Sequence, residues 1–492
     1  MKGMVIKMKK AVSLIILSSM LASLASCGSG SGANPTVETT AGENDVTTGA
    51  LTGRDAVPDN LPDKKFNKDF TILTRTKYDY EFNTPEADGD VLNDALYNRD
   101  RKVEERFGIT IKTVPMNCEW GDESAQFNNS LSASIMAGDG AYDLVAGYAA
   151  TIPGLVGEGL FIDWNTMKYN DFTKPWWSEQ IADEMNINGK CYLVTGDASL
   201  VLWKNMRCML FNKRLAENYK TPDLYEIVRN GEWTFDKLVE VTKDVYIDLD
   251  GDGKASDGDV YGYLTDWATA VDNLKEAFEI KVTTKNADGF PEMSFMNAKT
   301  IEAVTKINNF FHNSGAVYFN QEFCQKCKDN FMNGQGLIAT SILGKVDGLR
   351  AMDDDFGIIP YPKYDLNQKD YHSTSLDEFT LFAIPNDAAD PDMTSIVLEG
   401  IASESYKKVV PAFYDVALKT KGARDDESSE MIDIIRDGLT FDFGYLNSKA
   451  LDYAGHLWVS LIRANNNNVA SEYAKKKTSY EEKLDKLLEV YR

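Results

Sequence analysis

Histidine, cysteine and positive charge are all scarce in this chain of 492 residues, which carries 76 acidic against 52 basic side chains. Its three histidines, His312, His372 and His456, stand far apart, so no cluster suggests a zinc site. Six cysteines in a chain of this length argue against a fold built on disulfides, which leaves stability to apolar cores. Beyond Cys27 there are five, Cys118, Cys191, Cys208, Cys324 and Cys327, an odd number that leaves at least one without an intramolecular partner. Cys324 and Cys327 form a Cys-x-x-Cys, but without a second pair they read as plain thiols or a local disulfide. A formal charge of −24 argues against nucleic acid and anionic lipid surfaces, where lysine and arginine supply the binding. Phosphate loops, Gly-x-Ser-x-Gly elbows, zinc-protease helices and internal repeats are also missing.

The longest apolar run, "AVSLIILSSMLASLA", follows Lys2, Lys7, Lys9 and Lys10. At about 15 residues it falls short of the roughly 20 that span a bilayer, and with its basic start and small-residue end it is read as a signal peptide over residues 1–26. "LASC" at Leu24–Cys27 resembles the bacterial lipobox, which implies a diacylglycerol thioether on Cys27 and anchorage at the outer face of the cell membrane; ordinary secretory cleavage is the alternative. Residues 27–61 are rich in Gly, Ser, Thr and acidic side chains and are expected to form a flexible tether. Loss of the leader with its four lysines takes the formal charge from −24 to −28.

The remaining body has ample apolar material, 43% of the chain being hydrophobic. "KDFTILTR" reads as a strand, the segment around Val91, Leu92, Ala95 and Val103 as a helix stopped by Gly108, and "ITIKTV" as a second strand. Alternation of this kind continues, with a helix-rich region from about residue 199, and predicts an α/β fold with mostly parallel sheets.

One stretch carries a metal-binding pattern. "DLDGDGKASDGD" places Asp248, Asp250 and Asp252 at the first, third and fifth positions of a calcium loop. Gly253 stands at the sharp turn, Lys254 and Ser256 follow at the seventh and ninth positions, and Asp259 replaces the usual glutamate at the twelfth. With one loop and a strand-like "VYGY" behind it, the expectation is one structural Ca2+, not a sensor; an ion-free acidic turn is the alternative.

"YDLVAGY", "GLFIDW", "NGKCYLVTGD", "MLFNKRLAE", "GEWTFDKLVEVTKD", "DGDGK" with "DVYGY", "FMNGQGLIATSI", "FGIIPYPK", "LFAIPNDAADPD" and "GHLWVSL", in this order, together resemble the extracellular solute-binding proteins of ABC importers, of the maltodextrin-binding kind. The resemblance implies a two-lobed fold of the periplasmic-binding-protein type (type II) with hinge crossings and a ligand cleft. By position, the first lobe is residues 62–198 plus 353–404 and the second 199–352 plus 405–492. Hinges are expected near Asp197–Leu202, Gly344–Asp353 and Ser403–Ser405.

A sugar site needs aromatic faces beside hydrogen-bonding side chains. Trp458, which the resemblance places as a stacking ring of the second lobe, stands near Arg463; a core role is the competing reading. Trp203 adjoins a hinge, while Trp176 and Trp177 read as a plug and Trp233 as structural. After the first strand come Arg75, Tyr78 and Tyr80, where ligands of α/β sheets sit. Tyr148, Asp197, Asp377 and Glu378 complete the candidates.

The function expected is a lipid-anchored monomer that captures a sugar or oligosaccharide for the transmembrane subunits of an ABC permease, without catalysis. A surface glycoside hydrolase, with two carboxylates flanking the cleft, and a binder of peptides or other solutes are the alternatives.

Overall fold

The computed structural model describes residues 52–266, 269–320, 325–420 and 425–492. The expected leader, Cys27, most of the tether and Cys324 lie outside the described residues.

Among the described residues twelve strands form two main sheets and a small hairpin: β1 Lys68–Arg75, β2 Ile109–Met116, β3 Leu144–Tyr148, β4 Arg207–Asn212, β5 Tyr246–Ile247, β6 Val260–Asp266, β7 Thr283–Lys285, β8 Pro291–Met293, β9 Val317–Asn320, β10 Gly336–Ile342, β11 Phe356–Ile359 and β12 Thr380–Ala383. The first sheet has the order β12-β3-β1-β2, with β1 parallel to both neighbours and β12 antiparallel to β3. Phe70, Ile72 and Leu73 of β1 are fully buried, as a strand covered by helices on both faces requires. The crossover from β1 to β2 is the helix Val91–Phe107. Asp90 caps it by accepting from the Leu92 and Asn93 amides, and Gly108 ends it in the left-handed conformation (φ 61°).

The second sheet has the order β11-β4-β10-β6-β5, with β9 beside β6; β10 and β9 run parallel to β6, and β4 is antiparallel to β10 and β11. All of β6 is buried, and its Gly262 is required, because a Cβ there would stand 2.2 Å from the Thr242 carbonyl oxygen. Among the described residues no helix is long and apolar enough to cross a membrane.

The lobes differ from the expected boundaries at β11 and at the chain's end, where the Val490 and Tyr491 carbonyls accept from Lys190 and Asn188 of the first lobe (both 2.9 Å). β11 pairs with β4, so residues 356–359 belong to the second lobe, and Gly344–Asp353 forms short turns within that lobe instead of a hinge. The chain returns to the first lobe between β11 and β12. This return lies antiparallel to the outward crossing: the Leu376 amide donates to the Asn205 carbonyl (2.9 Å), Arg207 to Thr374 (3.1 Å) and Phe382 to Val194 (2.8 Å). Glu81, fully buried, ties the first lobe to both crossings by accepting from the Val201 amide (2.9 Å), the Ser199 hydroxyl (3.2 Å) and the Thr380 hydroxyl (2.6 Å). At the third crossing the helix Pro391–Glu404 widens into π-helical turns over Ser405–Val409 and Ala412–Thr420.

The tether also ends sooner than composition suggests. Arg54 donates to the Tyr406 carbonyl (3.1 Å), Asp55 pairs with Lys408 (2.9 Å) and Asp59 accepts from Arg106 (3.0 Å), so residues 54–59 lie against the body. Trp176 and Trp177 are buried, both indoles donating to Glu399 (2.8 and 3.0 Å), which is the plug the sequence suggested. Trp233 is buried before the Thr234-capped helix Phe235–Thr242.

Candidate functional site

Where the carboxyl ends of β1, β2 and β3 face the second lobe, a cavity of about 10 Å3 remains, no more than the room one water needs. From the first lobe Trp120 enters it, carried by the loop after β2 and followed by Gly121 at φ 104°. From the second lobe come Tyr445, Lys449 and His456, and from the returning crossing comes Asp377. Trp120 is 50% exposed, an unusual state for so large a ring. It meets His456 at 5.8 Å and Tyr453 at 6.5 Å between ring centroids, with the Lys449 ammonium 5.9 Å from its ring.

The side chains of Asp377, Lys449 and His456 make no hydrogen bond or ion pair with any described residue, which leaves their polar atoms for a ligand. Burial raises the Asp377 carboxyl to about 6, helped by the nearby charges of Asp272 and Glu378 and opposed by His456 and Arg207. Asp272, which accepts from the Tyr445 hydroxyl (3.0 Å), is raised by burial to about 7. His456 is lowered by burial, with Lys275 adding to the effect and Asp377 resisting it. Leu376, next to Asp377, lines a second cavity of about 30 Å3 with Arg207, Asp266, Lys328 and Thr340, at the carboxyl ends of β6 and β10. The junction therefore gathers strand carboxyl ends from both lobes, the position where ligands of open α/β sheets bind.

Several residues singled out in the sequence support this junction from behind. Arg75 is 3% exposed; its guanidinium lies over the rings of Tyr78 (4.4 Å) and Tyr148 (5.3 Å) and donates to Thr380 Oγ1 (3.0 Å). The Tyr78 hydroxyl donates to Glu378, which also takes Lys77 at 2.9 Å; burial works to raise that carboxyl, but these two donors outweigh it and hold it below its usual value. Tyr80 is half-buried beside Tyr78.

Others fall elsewhere. Trp458 is fully buried and its indole donates to the Val271 carbonyl (2.9 Å), so it is a core residue with no face for a ligand, and the stacking role expected of it is withdrawn. Arg463 is exposed at the far end of the same helix, Leu457–Arg463, about 10 Å from His456 at 1.5 Å per residue. Trp203 and Asp197 line a separate cavity of about 440 Å3 with Arg54 and Arg436; the Trp203 indole donates to Asp197 Oδ1 (3.1 Å), and burial raises the Asp197 carboxyl to about 8.

Trp120, Tyr445, Lys449 and Tyr453 were not anticipated. Trp120 could have been found by the rule that drew attention to Arg75 and Tyr148, since it too follows a strand's carboxyl end. Of the second-lobe residues, Lys449 and Tyr453 lie in turns and Tyr445 in the four-residue helix Phe443–Leu446, none with a sequence pattern of its own.

In the calcium-like loop, oxygens of Asp248, Asp250 and Asp252 lie within 4.8 Å of one another, as ligands of one cation must. Asp259 does not join them. Its carboxylate is taken by the Leu249 amide (3.1 Å), the Ser256 amide (2.7 Å) and the Tyr246 hydroxyl (3.1 Å), which makes it the anchor of the loop. Asp248 itself accepts from the Gly251 and Gly253 amides.

A two-lobed α/β molecule with its unpartnered polar groups gathered where the lobes meet is the architecture of a solute-binding protein. Residues 99–398 match the family model of bacterial extracellular solute-binding proteins, and the chain belongs to that family. No curated protein matches it. Solved structures share its fold at low identity. The galacto-N-biose-/lacto-N-biose I-binding protein of the ABC transporter from Bifidobacterium longum, in complex with lacto-N-biose, has TM-score 0.55 and 13% identity, over 85% of this chain and 97% of its own. A cyclo/maltodextrin-binding protein complexed with maltotetraose has TM-score 0.54 and 13% identity, over 86% and 96%. The GacH receptor of Streptomyces glaucescens, solved unliganded and with acarbose, has TM-score 0.54 and 11% identity, over 86% and 99%.

Proposed function

We propose that this protein captures a carbohydrate, an oligosaccharide, between its lobes and presents it to the transmembrane subunits of an ABC importer, without chemistry on the sugar. The observation that carries the reading is Trp120, a half-exposed indole beside Asp377, Lys449 and His456, whose side chains make no hydrogen bond or ion pair with any described residue. Sugars offer C–H faces to such a ring and hydroxyls to such side chains. The named ligands of the structural relatives, lacto-N-biose, maltotetraose and acarbose, are of this class. The test is a thermal-shift panel of oligosaccharides on the purified chain, in which a binder raises the melting temperature as ligand exceeds its dissociation constant and the sugar is recovered unchanged. Release of new reducing ends would replace this reading with the hydrolase.

Two further roles belong to the proposal. Lipid on Cys27 would hold the chain at the outer face of the membrane, and Cys27→Ser is then expected to move it into the medium. One Ca2+ held by Asp248, Asp250 and Asp252 would stiffen the loop before β6. Asp250→Ala and chelation are each expected to lower the melting temperature by a few degrees and leave sugar affinity within twofold. Lost affinity in a folded chain would give the ion a direct part in binding.

A further inference from the structure

Tyr453 carries a backbone conformation that its side chain disfavours. At φ 63° and ψ 33° it lies in the left-handed region, directly after Asp452 at φ 54°, and it is the one aromatic among the described non-glycine residues found there. For a bulky L-residue that conformation costs about 1–2 kcal/mol. Local hydrogen bonding explains the turn but not the tyrosine. The Tyr453 amide donates to the Ser448 carbonyl (2.7 Å) and the His456 amide to the Tyr453 carbonyl (2.9 Å), bonds that glycine would make as well. Core burial does not offset the cost either, since the ring is 44% exposed.

What the conformation achieves is placement. The ring is delivered to the junction between the lobes, 6.5 Å from Trp120 at 66° and 5.5 Å from His456. The preceding residue is fixed from outside the turn: the Asp452 carboxylate takes Lys476 Nζ (2.9 Å) and Ser479 Oγ (3.0 Å), both from the helix Val469–Leu488. Strain of this kind persists where the surroundings over-determine it, and it gathers at ligand-contacting positions.

We infer that Tyr453 is a specificity-determining residue of the solute site and that Asp452 is a positioning residue acting through it. A ring-shaped ligand with an apolar face enters by parting Trp120 from Tyr453 and is then bounded by one ring from each lobe. This role rests on the carbohydrate reading.

The test sets Tyr453→Gly and Tyr453→Phe against the wild-type chain, with maltotetraose and lacto-N-biose as probes. Three readouts apply: melting temperature, affinity, and the emission of Trp120 taken as the difference from a Trp120→Phe partner of each variant. Tyr453→Gly, which adopts the left-handed backbone freely, is expected to melt no lower than wild type, to shift Trp120 emission to the red and to weaken the bound sugar at least tenfold. Tyr453→Phe should stay within twofold in affinity. Asp452→Ala should weaken binding several-fold with Tyr453 in place, and Asp452→Asn should recover part of the loss. A Tyr453→Gly chain that melts far lower, or that keeps the Trp120 emission or the wild-type affinity, overturns the inference while the carbohydrate reading stands. If neither sugar binds the wild-type chain, the carbohydrate reading for these ligands falls and the sugar-contact role falls with it.

Discussion

Trp120 and Trp458 show how little a residue type says before its surroundings are known. Trp458 lies on an apolar helix face, where stacking on a ligand and packing in a core need the same spacing; the contact with the Val271 carbonyl and zero exposure decide for the core. Trp458→Ala is therefore expected to cost about 3–5 kcal/mol of stability. Trp120→Ala should leave the melting temperature nearly unchanged and weaken sugar about tenfold, ~1.4 kcal/mol. Calorimetric unfolding and titration of the two variants check the contrast. Asp197 makes a prediction in pH. Its carboxyl is held by burial at about 8 against an ordinary 3.8, so between those values the folded state keeps a proton that the unfolded state has released. Stability from this group therefore falls as pH rises through that window. Asp197→Asn, which can still accept from Trp203, should match wild type near pH 4 and gain on it toward pH 8, by at least about 1 kcal/mol. Parallel melting curves at pH 5 and pH 8 would show the gap widen.

At the level of elements, local signals were legible where the segment satisfies itself. The helix Val91–Phe107 has an apolar stripe, an aspartate cap and a glycine stop, all encoded within 19 residues of sequence, and it forms as expected. The sheet to which β11 belongs was not legible, because strand pairing is settled by a partner, β4, nearly 150 residues away. The same holds for the first two hinge crossings, which are joined by hydrogen bonds between residues 194–207 and 374–382. Gly196 lies in the outward crossing, where a Cβ would stand 2.2 Å from the Trp176 carbonyl oxygen. Backbone cannot yield as a side-chain tip does, so Gly196→Ala should lower the melting temperature by several degrees and shift the balance between the lobes. Melting together with ligand affinity separates those two effects.

For the whole molecule, the lobes meet through Trp120, Tyr453 and His456 with a cavity of about 10 Å3 at that contact, so on the carbohydrate reading a sugar enters there only after the lobes part. Binding is then a shift between separated and apposed arrangements, and its size depends on how much better a ligand fits the apposed one. Small-angle scattering is expected to show a smaller radius of gyration with saturating sugar than without it. Equal curves would argue against a hinge that moves.

The sequence by itself determined the family, the α/β alternation, the acidic charge, and the capped helix ends, since each is carried by composition or by neighbours within a few turns. Only the tertiary structure decided which tryptophan faces the cleft, that β11 joins the second lobe, that Asp259 anchors its loop, and that Tyr453 meets Trp120. Asp259 finds its partners within 13 residues, in a competition among loop carboxylates that spacing alone does not settle; the other three share one physical reason. Burial, hydrogen-bond partnership and apposition are properties of pairs, and the second member of each pair is brought in by the packing of the folded chain.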